Sequence, residues 1–71
     1  MKVNRIRLHK MNRNLTWKEI VRATGINKTR LLHLANNQGD AKIDEMRELG
    51  IFFKCLSIDF NQWSMEVEIE L

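Results

Sequence analysis

The run from Thr16 to Ala35 constrains the fold more than any other part of the chain. Two short stretches of helical periodicity flank Thr24-Gly25-Ile26-Asn27. Thr16 and Glu19 stand three residues apart around Trp17, the spacing of a capping box. In that motif a threonine hydroxyl takes a free amide three residues on and the carboxylate reaches back. The spacing predicts a helix that begins at Trp17, runs about two turns and turns Ile20 and Val21 inward. Gly25 takes a left-handed conformation at no steric cost, which a tight turn after a helix requires. Asn27 is a good N-cap for a further helix over about Lys28 to Ala35. Leu31 and Leu34 then face the core, while Thr29, Arg30 and His33 face out.

The flanking segments add helices and one change of period. Leu8, Met11 and Leu15 fall at helical spacing and predict a first helix from about Arg5 to Arg13. A fourth helix, about Lys42 to Phe53, is expected to bury Ile43, Met46, Leu49 and Phe53. Its acidic first turn, Asp44 and Glu45, suits the positive end of the helix dipole. Gly50 within it is expected to weaken the helix by about 1 kcal/mol against alanine. Ser57 is expected to cap a short fifth helix through Ile58, Phe60 and Trp63, and Phe52, Phe53, Phe60 and Trp63 read as core aromatics. From Ser64 to Leu71 apolar and polar residues alternate, the pattern of a half-buried strand. A lone strand needs a partner. Either the stretch Lys2–Arg7, whose arginines would complement the glutamates, or the same strand of a second copy would serve. The expected fold is mainly α, five helices with a helix-turn-helix over about 16–35 and a short C-terminal β-strand over about 64–71. It forms one domain over 1–71.

Size and composition exclude several classes. A chain of 71 residues buries only about 60% of its unfolded surface, so stability is marginal and association is attractive. No apolar run reaches the length of a membrane span, and no apolar region follows the basic N-terminal residues, so a cytoplasmic protein with no membrane partner is expected. Cys55 is the single cysteine, which rules out an intrachain disulfide. With His9 and His33 it offers too few ligands, at no recognisable spacing, so no metal is expected. No phosphate-cradling glycine loop or activated nucleophile is present, and no enzyme activity, cofactor or small-molecule ligand is expected.

The charge is divided along the chain. Residues 1–42 carry ten basic side chains against Glu19 and Asp40, and residues 43–71 carry two against seven acidic ones, which makes the overall +3. A basic pole suits a polyanion. It coincides with two short helices joined by a glycine turn, a geometry that lays one helix across a duplex backbone and the next in the major groove. Lys28 and Arg30 are suited to guanine or phosphate, Thr29 to a thymine methyl, and His33 to donating or accepting. Thr16, Asn36 and Asn37 are small polar groups placed for phosphate, and Asn27 joins them as the cap of the outer helix.

The run Leu15 to Leu31 resembles the helix-turn-helix of the Cro/repressor (Xre-type) family. That family shows Leu-Thr, then a Glu-Leu-Ala stretch, then Gly-Ile-Ser. Here Leu15-Thr16, Glu19-Ile20-Val21 and Gly25-Ile26-Asn27 take those places. The likeness continues through Ile43, Met46, Leu49, Phe53 and Ser57-Ile58-Asp59-Phe60, so it covers about Arg5 to Trp63. Val21 stands where the family prefers alanine, Trp17 where it prefers a polar residue such as glutamine, and Ala35-Asn36 where it commonly has an acidic residue. The resemblance implies a five-helix, lambda-repressor-like bundle and a transcriptional repressor that binds operators as a dimer. It places Lys28, Thr29 and His33 at base-reading positions and Thr16, Trp17 and Asn36 at backbone-gripping ones. Arg30 is implied in either role.

A homodimer at an inverted repeat is therefore expected, with half-sites about 34 Å apart. Its contacts are expected on the strand face of Met65, Val67, Ile69 and Leu71. The alternative is a protein-interaction module, antitoxin- or inhibitor-like, whose acidic strand adds to a partner's sheet edge.

Overall fold

A computed structural model describes residues 1–70. Its elements, in chain order, are β1 (Lys2–Asn4), α1 (Arg5–Asn12), α2 (Trp17–Thr24), α3 (Lys28–Ala35), α4 (Ile43–Phe53), a single 3-10 turn (Ser57–Phe60) and β2 (Glu66–Glu68). The protein is mainly helical, with four α-helices where five were expected. The segment read as a fifth helix closes as a 3-10 turn of four residues, in which Asp59 N–H bonds to the Leu56 carbonyl at 3.0 Å. Ser57 lies inside that turn, and Leu56 precedes it as the cap residue without a side-chain bond.

Local chemistry sets most helix ends. Asn4 caps α1, its Oδ1 accepting from Ile6 N at 2.9 Å and from Arg7 N at 3.3 Å. Thr16 Oγ1 accepts from Glu19 N at 3.2 Å and donates to the Glu19 carboxylate at 3.1 Å, so the reciprocal contact runs hydroxyl to carboxylate. Gly25, at φ 73°, ends α2 in the left-handed region and returns its N–H to Val21 O at 2.8 Å. Asn27 caps α3 by accepting from Thr29 N at 2.8 Å. The Glu45 carboxylate reaches back to Lys42 N at 2.8 Å at the start of α4.

The strand pairing is settled within the chain. β1 and β2 run antiparallel with Lys2 opposite Glu68, Val3 opposite Val67 and Asn4 opposite Glu66. Ile69 N extends the ladder by donating to Met1 O at 2.8 Å. The strand is shorter than expected, and Leu71 lies outside the described residues. Arg5, from the stretch expected to complement the glutamates, instead meets Asp59 at 3.9 Å and donates to Ser64 O at 3.0 Å.

The core gathers Ile6, Ile20, Ile26, Leu31, Leu34 and Ala35 with Leu49, Phe53, Phe60 and Met65. α3 packs on α1 and α2, while α4 packs on α2 and the 3-10 turn. Three apolar expectations fail here. Ile43 is 83% exposed. It shares a side of α4 with buried Gly50, but it lies two turns earlier, where the helix has run past its packing partners. Met11 is exposed because it sits about 140° around α1 from buried Ile6. Trp63 is 84% exposed and lies in the turn after the 3-10 segment, outside the core aromatics.

Candidate nucleic-acid interface

The segment from α2 through Gly25 to α3 exposes several polar side chains. Lys28, Thr29 and His33 are exposed on α3, with Thr29 and His33 one helical turn apart. Asn27 is exposed at the mouth of the helix, and Asn36 and Asn37 at its far end. Lys28 and His33 form no ion pair among the described residues, so both side chains are free to meet a ligand.

Arg30 belongs to a different neighbourhood. It is turned about 100° around α3 from Thr29, toward the start of α4. There its guanidinium grips the Glu45 carboxylate through Nε at 2.8 Å and Nη2 at 2.9 Å, and donates to Asp40 O at 2.6 Å. The bond to Glu45 raises the Arg30 pKa, and the same bond holds the Glu45 carboxyl below its ordinary value. Periodicity turns Arg30 outward, and the resemblance offers it either a base or a phosphate. The fork contact makes Arg30 a brace between α3 and α4.

At the other end of α3 the chain is held from α1. Asn4 Nδ2 donates to Leu34 O at 2.8 Å and to Asn37 Oδ1 at 2.8 Å. Arg7 donates through Nε to Ala35 O at 2.9 Å and through Nη2 to the Asn36 amide oxygen. These bonds satisfy the last carbonyls of α3, which have no partner within the helix. They also orient Asn36 and Asn37, two residues singled out for phosphate contact.

Thr16 is exposed at the N-terminus of α2, and Trp17 beside it is half-buried against the core. Two cations flank the indole, Lys10 Nζ at 5.0 Å and the Arg7 guanidinium at 5.8 Å from the ring centroid. Arg7 and Lys10 were not singled out from the sequence. The available signal was their i, i+3 spacing on a helix that precedes the aromatic residue.

The residues expected at a dimer contact divide. Met65 is buried in the core of its own chain, and its carbonyl accepts from Arg5 N. Val67 and Ile69 are half-buried on the same side of the strand. The other edge of β2 has no strand partner among the described residues.

His9 and Cys55 meet between α1 and the segment that follows α4. The imidazole stacks on Phe53 at 4.6 Å, and its Nε2 lies 3.3 Å from Cys55 Sγ. Burial lowers the His9 pKa, and the positive charges of Arg13 and Arg5 lower it further. Among the described residues no three His, Cys, Asp or Glu side chains come together as a metal site requires. No helix among them is long and apolar enough to cross a membrane. Comparison of the chain with family models, curated proteins and solved structures returns no match.

Proposed function

We propose that the chain is a sequence-specific double-stranded DNA-binding protein that regulates transcription. In this reading it is a repressor of the phage or mobile-element type, working as a homodimer at an inverted-repeat operator. One observation carries the reading: α3 follows a left-handed Gly25 turn and exposes Lys28, Thr29 and His33 together, with no carboxylate among its own side chains. Base edges in the major groove ask for such a row of donors and small apolar groups. In this reading the four helices and the 3-10 turn are a reduced form of the five-helix, lambda-repressor-like bundle expected of the Xre type.

Fluorescence anisotropy against mixed-sequence duplex at two salt concentrations tests this. Affinity that falls steeply with salt, and is lost in Lys28→Glu, is the expected result. Absence of binding at low salt overturns it. The homodimer is expected to form through the open edge of β2, with Val67 and Ile69 at the contact. Loss of the dimer in sedimentation of a folded Ile69→Glu variant is the expected result. A dimer that survives it places the contact elsewhere.

A second reading is favoured by one feature. Glu66 and Glu68 are exposed on β2 beside its unpaired edge, an arrangement suited to adding a strand to a basic partner's sheet. Under that reading, Lys28→Glu leaves partner capture intact.

A further inference from the structure

The cations of this chain fall into two kinds. Arg30 and Arg5 face carboxylates, Glu45 and Asp59 respectively, and their charge is largely answered inside the fold. Arg7 and Lys10 have no carboxylate partner among the described residues. Yet they are not loose. Arg7 is held by two neutral acceptors, Ala35 O and Asn36 Oδ1. Both cations lie over the Trp17 ring, which attracts a cation without cancelling its charge. A guanidinium fixed in this way loses little freedom when it binds an anion, so its full charge is available at low entropic cost. The position completes the argument. Trp17 is the first residue of α2, where unpaired amides and the helix dipole already favour negative charge, and Arg7 is anchored on the last turn of α3.

We propose that Arg7, Lys10 and Trp17 form a clamp for a backbone phosphodiester of the bound duplex, fixing how α3 sits in the groove. The inference rests on the DNA-binding reading above. Arg7 supplies the hydrogen-bonded donor and Lys10 the one held by the indole alone. Trp17 holds both in place and lies beside the gripped phosphate.

The test uses the full chain carrying Trp63→Phe, which leaves Trp17 as the single indole. A mixed-sequence duplex is titrated while anisotropy and indole emission are read together, at several salt concentrations. Trp17 emission is expected to change along the binding isotherm. The double variant Arg7→Gln with Lys10→Gln is expected to reduce the slope of log Kd against log salt by about 0.9, the one phosphate that the pair holds. Lys10→Arg is expected to keep the slope. Arg7→Lys is expected to keep the slope while weakening affinity, because the charge survives and the anchor does not. A duplex that binds the double glutamine variant with an unchanged slope overturns the clamp and leaves the DNA-binding reading standing. Inorganic phosphate that reproduces the emission change at the same phosphate concentration also overturns it, because the site would then take a free anion. No duplex binding by the parent at low salt overturns both.

Discussion

The side-chain amide of Asn4 donates to the carbonyl of Leu34 at 2.8 Å while its oxygen caps the helix that Asn4 itself precedes. One buried residue thus starts α1 and finishes α3. With its second donation, to Asn37 Oδ1, it ties the first strand to the loop behind the proposed reading helix.

Asn4→Ala removes these contacts at once and leaves the Leu34 carbonyl with the Asn37 N–H alone, at 3.2 Å. The expected loss is about 1–2 kcal/mol, combining a missing cap with the loss of a buried hydrogen bond. Urea unfolding measures it. A loss within 0.5 kcal/mol would mean that water replaces the amide freely.

Gly50→Ala separates two physical effects. Helix propensity alone predicts a gain of about 1 kcal/mol. An added Cβ, however, would stand 3.0 Å from the Cys55 carbonyl oxygen and 3.1 Å from Ser57 Cα, both backbone atoms that cannot swing aside. The variant is expected to lose about 1–3 kcal/mol through overpacking between α4 and the 3-10 turn. A raised melting temperature would contradict this.

Stability is expected to fall with acid in two stages. His9 has a lowered pKa in the fold against an ordinary 6.5, so below that value the unfolded chain binds more protons. Its contribution is complete above pH 6.5 and is lost as pH drops toward the folded value. The carboxyl of Glu45 is likewise lowered from an ordinary 4.5, chiefly by Arg30, and its contribution disappears below that. Thermal melts across this range are expected to show the upper stage vanish in His9→Gln and the lower one shrink in Glu45→Gln. An unaltered profile in both variants would rule the assignment out.

The Arg30–Glu45 brace is expected to matter to stability more than to base reading. The partners are 30% and 11% exposed, so a double-mutant cycle should return a coupling of about 0.5–1 kcal/mol. Glu45→Ala should cost more than Glu45→Gln, because the amide keeps an acceptor for Lys42 N. Lys28→Gln, at an exposed position without an ion pair, is expected to change stability by less than about 0.5 kcal/mol. Its effect should appear in duplex affinity.

Residues whose structure depends on near neighbours were legible in the sequence. The α3 boundaries, Lys28 and Ala35, follow from the Asn27 cap and the Leu31–Leu34 spacing, and the Gly25 turn follows from the lack of a side chain. What depended on distant partners was not. Periodicity put Arg30 outside α3, but Glu45, fifteen positions on, decides where its charge goes. Ile43 carries the right phase and lies beyond the neighbours that would cover it. Alternation marked β2 as a strand, yet only the register Val3 to Val67 decides between its two available partners. The cation pair over Trp17 was invisible for the same reason, since three residues meet there from two helices.

That register also orders events in time. The contacts that make α2, Gly25 and α3 lie a few residues apart, so little loop entropy opposes them. The sheet joins Val3 to Val67 and must close nearly the whole chain before it gains anything. The unit that carries the proposed reading helix can therefore assemble early, and the strands come together late. Interactions absent from the folding transition state govern escape from the native state. The two-stranded sheet is thus a latch, setting how long the fold persists once made and leaving the speed of its making to the helices.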